Sequence, residues 1–107
     1  MNFLLIVLFA LLQVQASPSV VEISAKRFEF SPKEVHLRAG EPVTIRLVSA
    51  DHPHGLMVKE LNVDLDADVD APDSVTITPG RPGKYSAICD HYCGAGHGNM
   101  RMTFIVD

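Results

Sequence analysis

The sequence predicts an all-β fold, a small Greek-key sandwich or barrel of about seven strands. Three observations carry that expectation. Apolar and polar residues alternate along several short stretches. Clusters of Pro, Gly and Asp separate those stretches, and no window of about 11 residues repeats its apolar positions at helical spacing. The size agrees: 107 residues, 47% hydrophobic and 21% charged, suit one globular domain and exclude an α/β barrel of about 250 residues.

The elements follow in chain order. Phe3–Leu12 is an unbroken apolar run, about half of the roughly 20 residues a bilayer span requires. Val14 and Ala16 place small residues ahead of Ser17, so residues 1–16 are predicted to be a signal peptide and residues 17–107 the exported domain. A first strand is expected over Val20–Ala25, closed by the turn at Ser31-Pro32. Val35, Leu37 and Ala39 then alternate with Glu34, His36 and Arg38, which puts His36 on a solvated face. After Gly40-Glu41-Pro42, Val43, Ile45 and Leu47 alternate with Thr44 and Arg46. Further strands are expected over Leu56–Asp64, Ser74–Thr78, Lys84–Cys89 and Met100–Val106. Ala71-Pro72-Asp73 and the run from Pro79 to Gly83 supply turns between them. Met57 and Met102 read as core.

Charge narrows the function. Nine Lys plus Arg against 13 Asp plus Glu give a net charge of −4, which excludes the basic stripe of a nucleic-acid binder. Five aspartates, at 64, 66, 68, 70 and 73, crowd one stretch without a basic residue. They do not make an EF-hand loop, because Val69 and Val75 stand where its Gly and Glu belong. A solvated strand edge that discourages edge-to-edge pairing is one reading, and a docking surface for a cationic partner is the other.

The chemistry concentrates in Cys89-Asp90-His91-Tyr92-Cys93-Gly94-Ala95-Gly96-His97-Gly98-Asn99-Met100. Two thiols, an imidazole and a thioether recur every three or four residues in a Gly-rich loop between two expected strands. Soft sulfur with imidazole suits copper, whereas hard cations require carboxylates. A second polar segment, Ser49-Ala50-Asp51-His52-Pro53-His54-Gly55, offers one more imidazole, and spacing alone does not choose between His52 and His54. A plain disulfide between Cys89 and Cys93 leaves the placement of His97 and Met100 unexplained. A zinc site of Cys89, Cys93, His97 and His54 is chemically sound but leaves Met100 without a role.

Cys-x3-Cys-x3-His-x2-Met, with Cys-Gly-x-Gly-His at its centre, resembles the CuA motif of cytochrome c oxidase subunit II, a cupredoxin. Nitrous oxide reductase carries the same kind of centre on a longer chain. Ser49-Ala50-Asp51-His52-Pro53-His54-Gly55-Leu56 resembles that family's Ser-x-Asp-x-x-His-Ser-Phe and selects His54 over His52. Arg81-Pro82-Gly83-Lys84-Tyr85 also fits. The resemblance implies a binuclear site of two copper ions bridged by the thiolates of Cys89 and Cys93. It implies His54 and His97 as terminal imidazoles, Met100 as a weak axial ligand, and the backbone carbonyl of His91 as a further ligand. His91 stands where the family often has Glu or Gln, a change that a carbonyl ligand tolerates. The chain has no Trp, and no membrane hairpin is evident.

The same resemblance implies single-electron transfer, with no organic substrate and no reaction of the chain's own. The expected donor is a cytochrome c-like protein and the expected acceptor a redox partner such as an oxidase complex. The expected signal peptide places the domain in the periplasm or on the outer face of a membrane, with membrane association only through a partner or an uncleaved N-terminus. Two alternatives remain open at this level. One is a mononuclear blue-copper site of His54, Cys93, His97 and Met100. The other is a carrier delivering copper during oxidase assembly.

Overall fold

The computed structural model describes residues 18–90 and 100–107. The expected signal peptide and His91, Cys93 and His97 of the loop lie outside the described residues.

Among the described residues nine strands form in order: β1 (Ser19–Lys26), β2 (Glu29–Ser31), β3 (Glu34–Leu37), β4 (Val43–Ser49), β5 (His54–Val58), β6 (Val63–Ala67), β7 (Asp73–Ile77), β8 (Gly83–Ile88) and β9 (Arg101–Val106). They make two sheets, a four-stranded one ordered β2-β1-β4-β7 and a five-stranded one ordered β3-β9-β8-β5-β6. Parallel pairing of β1 with β4 sets Ile23 beside Leu47, and parallel pairing of β3 with β9 sets Val35 beside Phe104. The other contacts between strands are antiparallel. The chain is a two-sheet β-sandwich, the all-β class that the alternation predicts.

The core lies between the sheets because each strand turns every second residue inward. Ile23 and Ala25 on β1, Ile45 and Leu47 on β4, Leu56 on β5, and Phe104 on β9 are fully buried. Each large apolar side chain removed from water contributes about 1.5–3 kcal/mol, so this layer supplies the main stabilisation. His36 faces water between Glu34 and Asp107, as its place in the alternation requires. At Gly40 the chain turns with φ of +82°, a conformation cheap only for glycine.

Three expectations need correction. The run Leu56–Asp64 is not one strand but parts of β5 and β6, folded over a 3₁₀ turn at Lys59–Leu61. Asn62 closes that turn in the left-handed region at φ of 59°, its N–H bonded to the Lys59 carbonyl at 3.0 Å. Asn adopts this conformation more readily than most residues, and without Gly or Pro the turn was invisible to a search for those two. Glu29–Ser31 adds a short strand ahead of the Ser31-Pro32 turn. Met57 belongs to the outer face of β5 and is only half-buried, because its neighbours Leu56 and Val58 occupy the inward positions.

Candidate metal centre

The inward phase of three adjacent strands points residues to one end of the five-stranded sheet. On β5, Leu56 and Val58 face the core, so His54 at the strand's start faces it too; it is 1% exposed. On β8, Ala87 is buried, and Cys89, two residues on, is 4% exposed. On β9, Phe104 and Met102 are buried, and Met100, two residues before Met102, is fully buried. The Ile88–Arg101 pairing continues one step, and the Cys89 N–H donates to the Met100 carbonyl at 3.3 Å. Cys89 and Met100 therefore stand opposite each other on the inner face, at the mouth of the loop. Met57 beside Ile88 brings His54 to the same end. The neighbouring β6 pairs the whole of β5, with His54 opposite Ala67.

The segment between β4 and β5 is built to hold His54. The Ala50 N–H donates to the Ala25 carbonyl at 2.9 Å, tying the segment to β1. The Ser49 hydroxyl donates to the His52 carbonyl. The Asp51 carboxylate then gathers three donors: the Arg27 N–H at 2.8 Å, the His52 N–H at 2.8 Å and His54 Nε2–H at 2.6 Å. Partial desolvation pushes the Asp51 carboxyl up. The Arg27 amide, the His54 imidazole and the His52 amide outweigh it and hold the group at about 2.

This arrangement distinguishes the two histidines. His54 spends Nε2 on Asp51, and its buried Nδ1 has no hydrogen-bond partner among the described residues. A buried polar atom left bare costs about 1–3 kcal/mol unless something binds it. A carboxylate on the far ring nitrogen is the usual way to orient a metal-binding imidazole. His52 has no such vacancy. Arg27 Nε can only donate, so His52 Nε2 accepts from it at 3.0 Å, and Nδ1–H donates to the Pro53 carbonyl at 2.9 Å. The two rings stack, with centroids 4.4 Å apart and planes at 30°.

His54, Cys89 and Met100 thus share one buried end of the sheet, and a soft metal fits an open imidazole nitrogen beside sulfur donors. Cys89 is disulfide-bonded. On the outer face, Asp64 and Asp66 of β6 approach Asp90, which directly follows Cys89, with carboxylate oxygens within 4.8 Å. The expected acidic edge is real, since β6 is the last strand of its sheet. Sequence reading gave Arg27 no part in the site. No motif marks it, and only the parallel pairing of β1 with β4 brings it to Asp51.

A two-sheet β-sandwich with a buried histidine, a cysteine and a methionine at one end defines a copper-protein scaffold of the cupredoxin class. Comparison with known proteins agrees. The chain matches the family described as "Cupredoxin-like domain" over residues 1–106. It is 33% identical over 95 residues to cytochrome c oxidase subunit 2 of Thermus thermophilus, covering 87% of this chain and 70% of that protein. Three solved structures share the fold. The periplasmic domain of subunit II of cytochrome oxidase from Bradyrhizobium japonicum superposes with TM-score 0.77 at 14% identity, covering 89% of this chain and 88% of that one. Subunit II captured in a mixed disulfide with a thioredoxin-like protein gives 0.73 at 14% identity, covering 89% and 86%. The blue copper protein auracyanin A of Chloroflexus aurantiacus gives 0.67 at 20%, covering 85% and 100%. The chain belongs to the cupredoxin-like domain family, as a relative of cytochrome c oxidase subunit 2.

Proposed function

We propose that this chain is an electron-transfer domain with a binuclear copper centre of the CuA type. The thiolates of Cys89 and Cys93, the imidazoles of His54 and His97, the Met100 thioether and the His91 carbonyl would hold the ions. The observation that carries the reading is His54. Its bare, buried Nδ1 lies on the same inner face as Cys89 and Met100, with the opposite ring nitrogen held by Asp51. The copper pair would supply a site that takes up and releases one electron, shared between both metals, with little change in bond length.

The chain's own residues supply the conditions for that exchange. Asp51 fixes the plane and tautomer of His54 before any metal arrives. The Cys89–Met100 rung fixes the root of the loop between β8 and β9. Burial of His54, Cys89 and Met100 excludes water from their side chains. Copper loading requires thiolates, so the disulfide at Cys89 must first gain two electrons and two protons. A dithiol protein fits that step, in keeping with the thioredoxin-like partner of the related subunit II. The reading places the domain on the periplasmic side, receiving electrons from a cytochrome c-like donor and passing them to an oxidase.

A mononuclear blue-copper site of His54, Cys93, His97 and Met100 is the second reading, favoured by the likeness to auracyanin A. Electron paramagnetic resonance of the reduced, copper-loaded and reoxidised protein separates the two. The binuclear centre gives two coppers per chain and hyperfine structure from two equivalent copper nuclei. One copper per chain with the pattern of a single nucleus overturns it.

A further inference from the structure

We propose that His52 and Arg27 form an electron port, a route from the surface to His54 suited to a redox partner that presents negative charge there. The inference rests on the copper site proposed above. His54 is 1% exposed, so a partner on this side of the molecule cannot touch its ring. His52 can bridge the gap. It is half-buried, and its ring stacks on His54 at 4.4 Å. Its Nε2 accepts a hydrogen bond at 3.0 Å from Arg27, which is exposed. The path runs from guanidinium to imidazole to imidazole with no gap wide enough for water.

Two features distinguish this from simple packing. Asp51 already fixes His54 through a 2.6 Å hydrogen bond, so a second aromatic ring is not needed for orientation. Both His52 nitrogens are also committed, which leaves its π face against His54 as the remaining contact. Arg27 further gives the port a sign. Its backbone N–H binds Asp51, yet no carboxylate among the described residues lies within ion-pair distance of its guanidinium. It is a cation on a protein of net charge −4. The aspartate-rich edge on β6 belongs to the other sheet, so the two redox partners would meet surfaces of opposite charge. The step is a bare electron transfer: one electron passes between the partner and the centre, with no bond formed or broken and no proton moved.

The test uses the copper-loaded protein with two small reductants, anionic hexacyanoferrate(II) and cationic hexaammineruthenium(II). Arg27→Gln is expected to slow the anionic reagent about fivefold at low salt, by loss of one attracting charge. The cationic reagent should react equally fast or faster. His52→Leu keeps the bulk and removes the ring; it should slow the anionic reagent severalfold while leaving the resonance spectrum unchanged. In the copper-free parent, nitrogen-15 NMR should find His52 as the Nδ1–H tautomer. Unchanged hexacyanoferrate rates in both variants overturn the port. So does an altered spectrum in His52→Leu, which would make His52 a positioning residue, and so does an Nε2–H tautomer. A parent protein that takes up no copper after reduction defeats the underlying site instead, and the port with it.

Discussion

Replacing Asp51 with Asn in the copper-free protein isolates the group on which the His54 side of the site depends. The carboxylate accepts from Arg27, His52 and His54. Asn keeps one acceptor oxygen and turns an NH₂ group toward one of those donors. One bond is lost and two fall from charge-assisted to neutral strength, each step costing about 1 kcal/mol. The titration gives an independent measure. The carboxyl sits at about 2 rather than 3.8, which at about 1.36 kcal/mol per pH unit bounds the effect near 2.4 kcal/mol. The side chain is 34% exposed, so solvent screening brings this to about 1–2 kcal/mol. The bond count gives about 3 kcal/mol and the screened titration about 1–2 kcal/mol; a loss of about 2 kcal/mol, between them, lowers the melting temperature by roughly 10 °C for a domain of this size. The sign in pH follows from the lowered value. The stabilisation is present in full above 3.8 and is lost as pH falls through about 2, so the gap between parent and variant should close over that window. Urea titrations with unchanged slope would measure it. A variant as stable as its parent at neutral pH, or a gap that persists undiminished at pH near 2, would refute the reasoning.

Other outcomes follow from the same structure. Phe104→Ala, at a fully buried position of β9, should cost about 3–5 kcal/mol in chemical denaturation. His36, hydrogen-bonded to Asp107 and beside Glu34, should titrate above 6.5 by NMR; its small stabilising effect is present below 6.5 and lost as pH rises through the folded value. His54→Ala should abolish the copper spectrum, whereas His52→Ala should retain bound copper, since of these two it is His54 that offers an open nitrogen. If the aspartates of β6 and its following turn dock a cationic cytochrome, transfer from it should slow as salt shortens the screening length to about 8 Å.

Much of the fold was legible because the strands obey a period of two. Val35 and Leu37, or Ile45 and Leu47, are buried where alternation places them. What escaped notice depended on single residues. The β5–β6 turn rests on the left-handed conformation of Asn62, which a search for Gly and Pro passes over. Met57 is apolar yet faces outward, because register, not hydrophobicity, decides which face a residue takes. The site was legible in part. Cys89 and Met100 follow the inward phase of β8 and β9, so their meeting could be derived once those strands were placed. Arg27 lies 24 residues from Asp51 in sequence, and no local pattern predicts contacts over that distance.

His52 and His54 show why residue type alone does not define a metal site. The two imidazoles lie two positions apart and touch, yet the chain treats them oppositely. His54 falls on the inward phase of β5, where burial strips water from Nδ1 and no group among the described residues replaces it. His52 precedes the strand, outside that phase, and both of its nitrogens find partners, Arg27 and the Pro53 carbonyl. The difference is thermodynamic. A metal binding His54 gains a donor whose desolvation has already been borne in folding, while one binding His52 at Nε2 must displace Arg27 and leave that hydrogen bond unmade. Folding therefore selects the ligand before any metal is present, and Asp51, by holding both loop and ring, is the residue through which the selection is made.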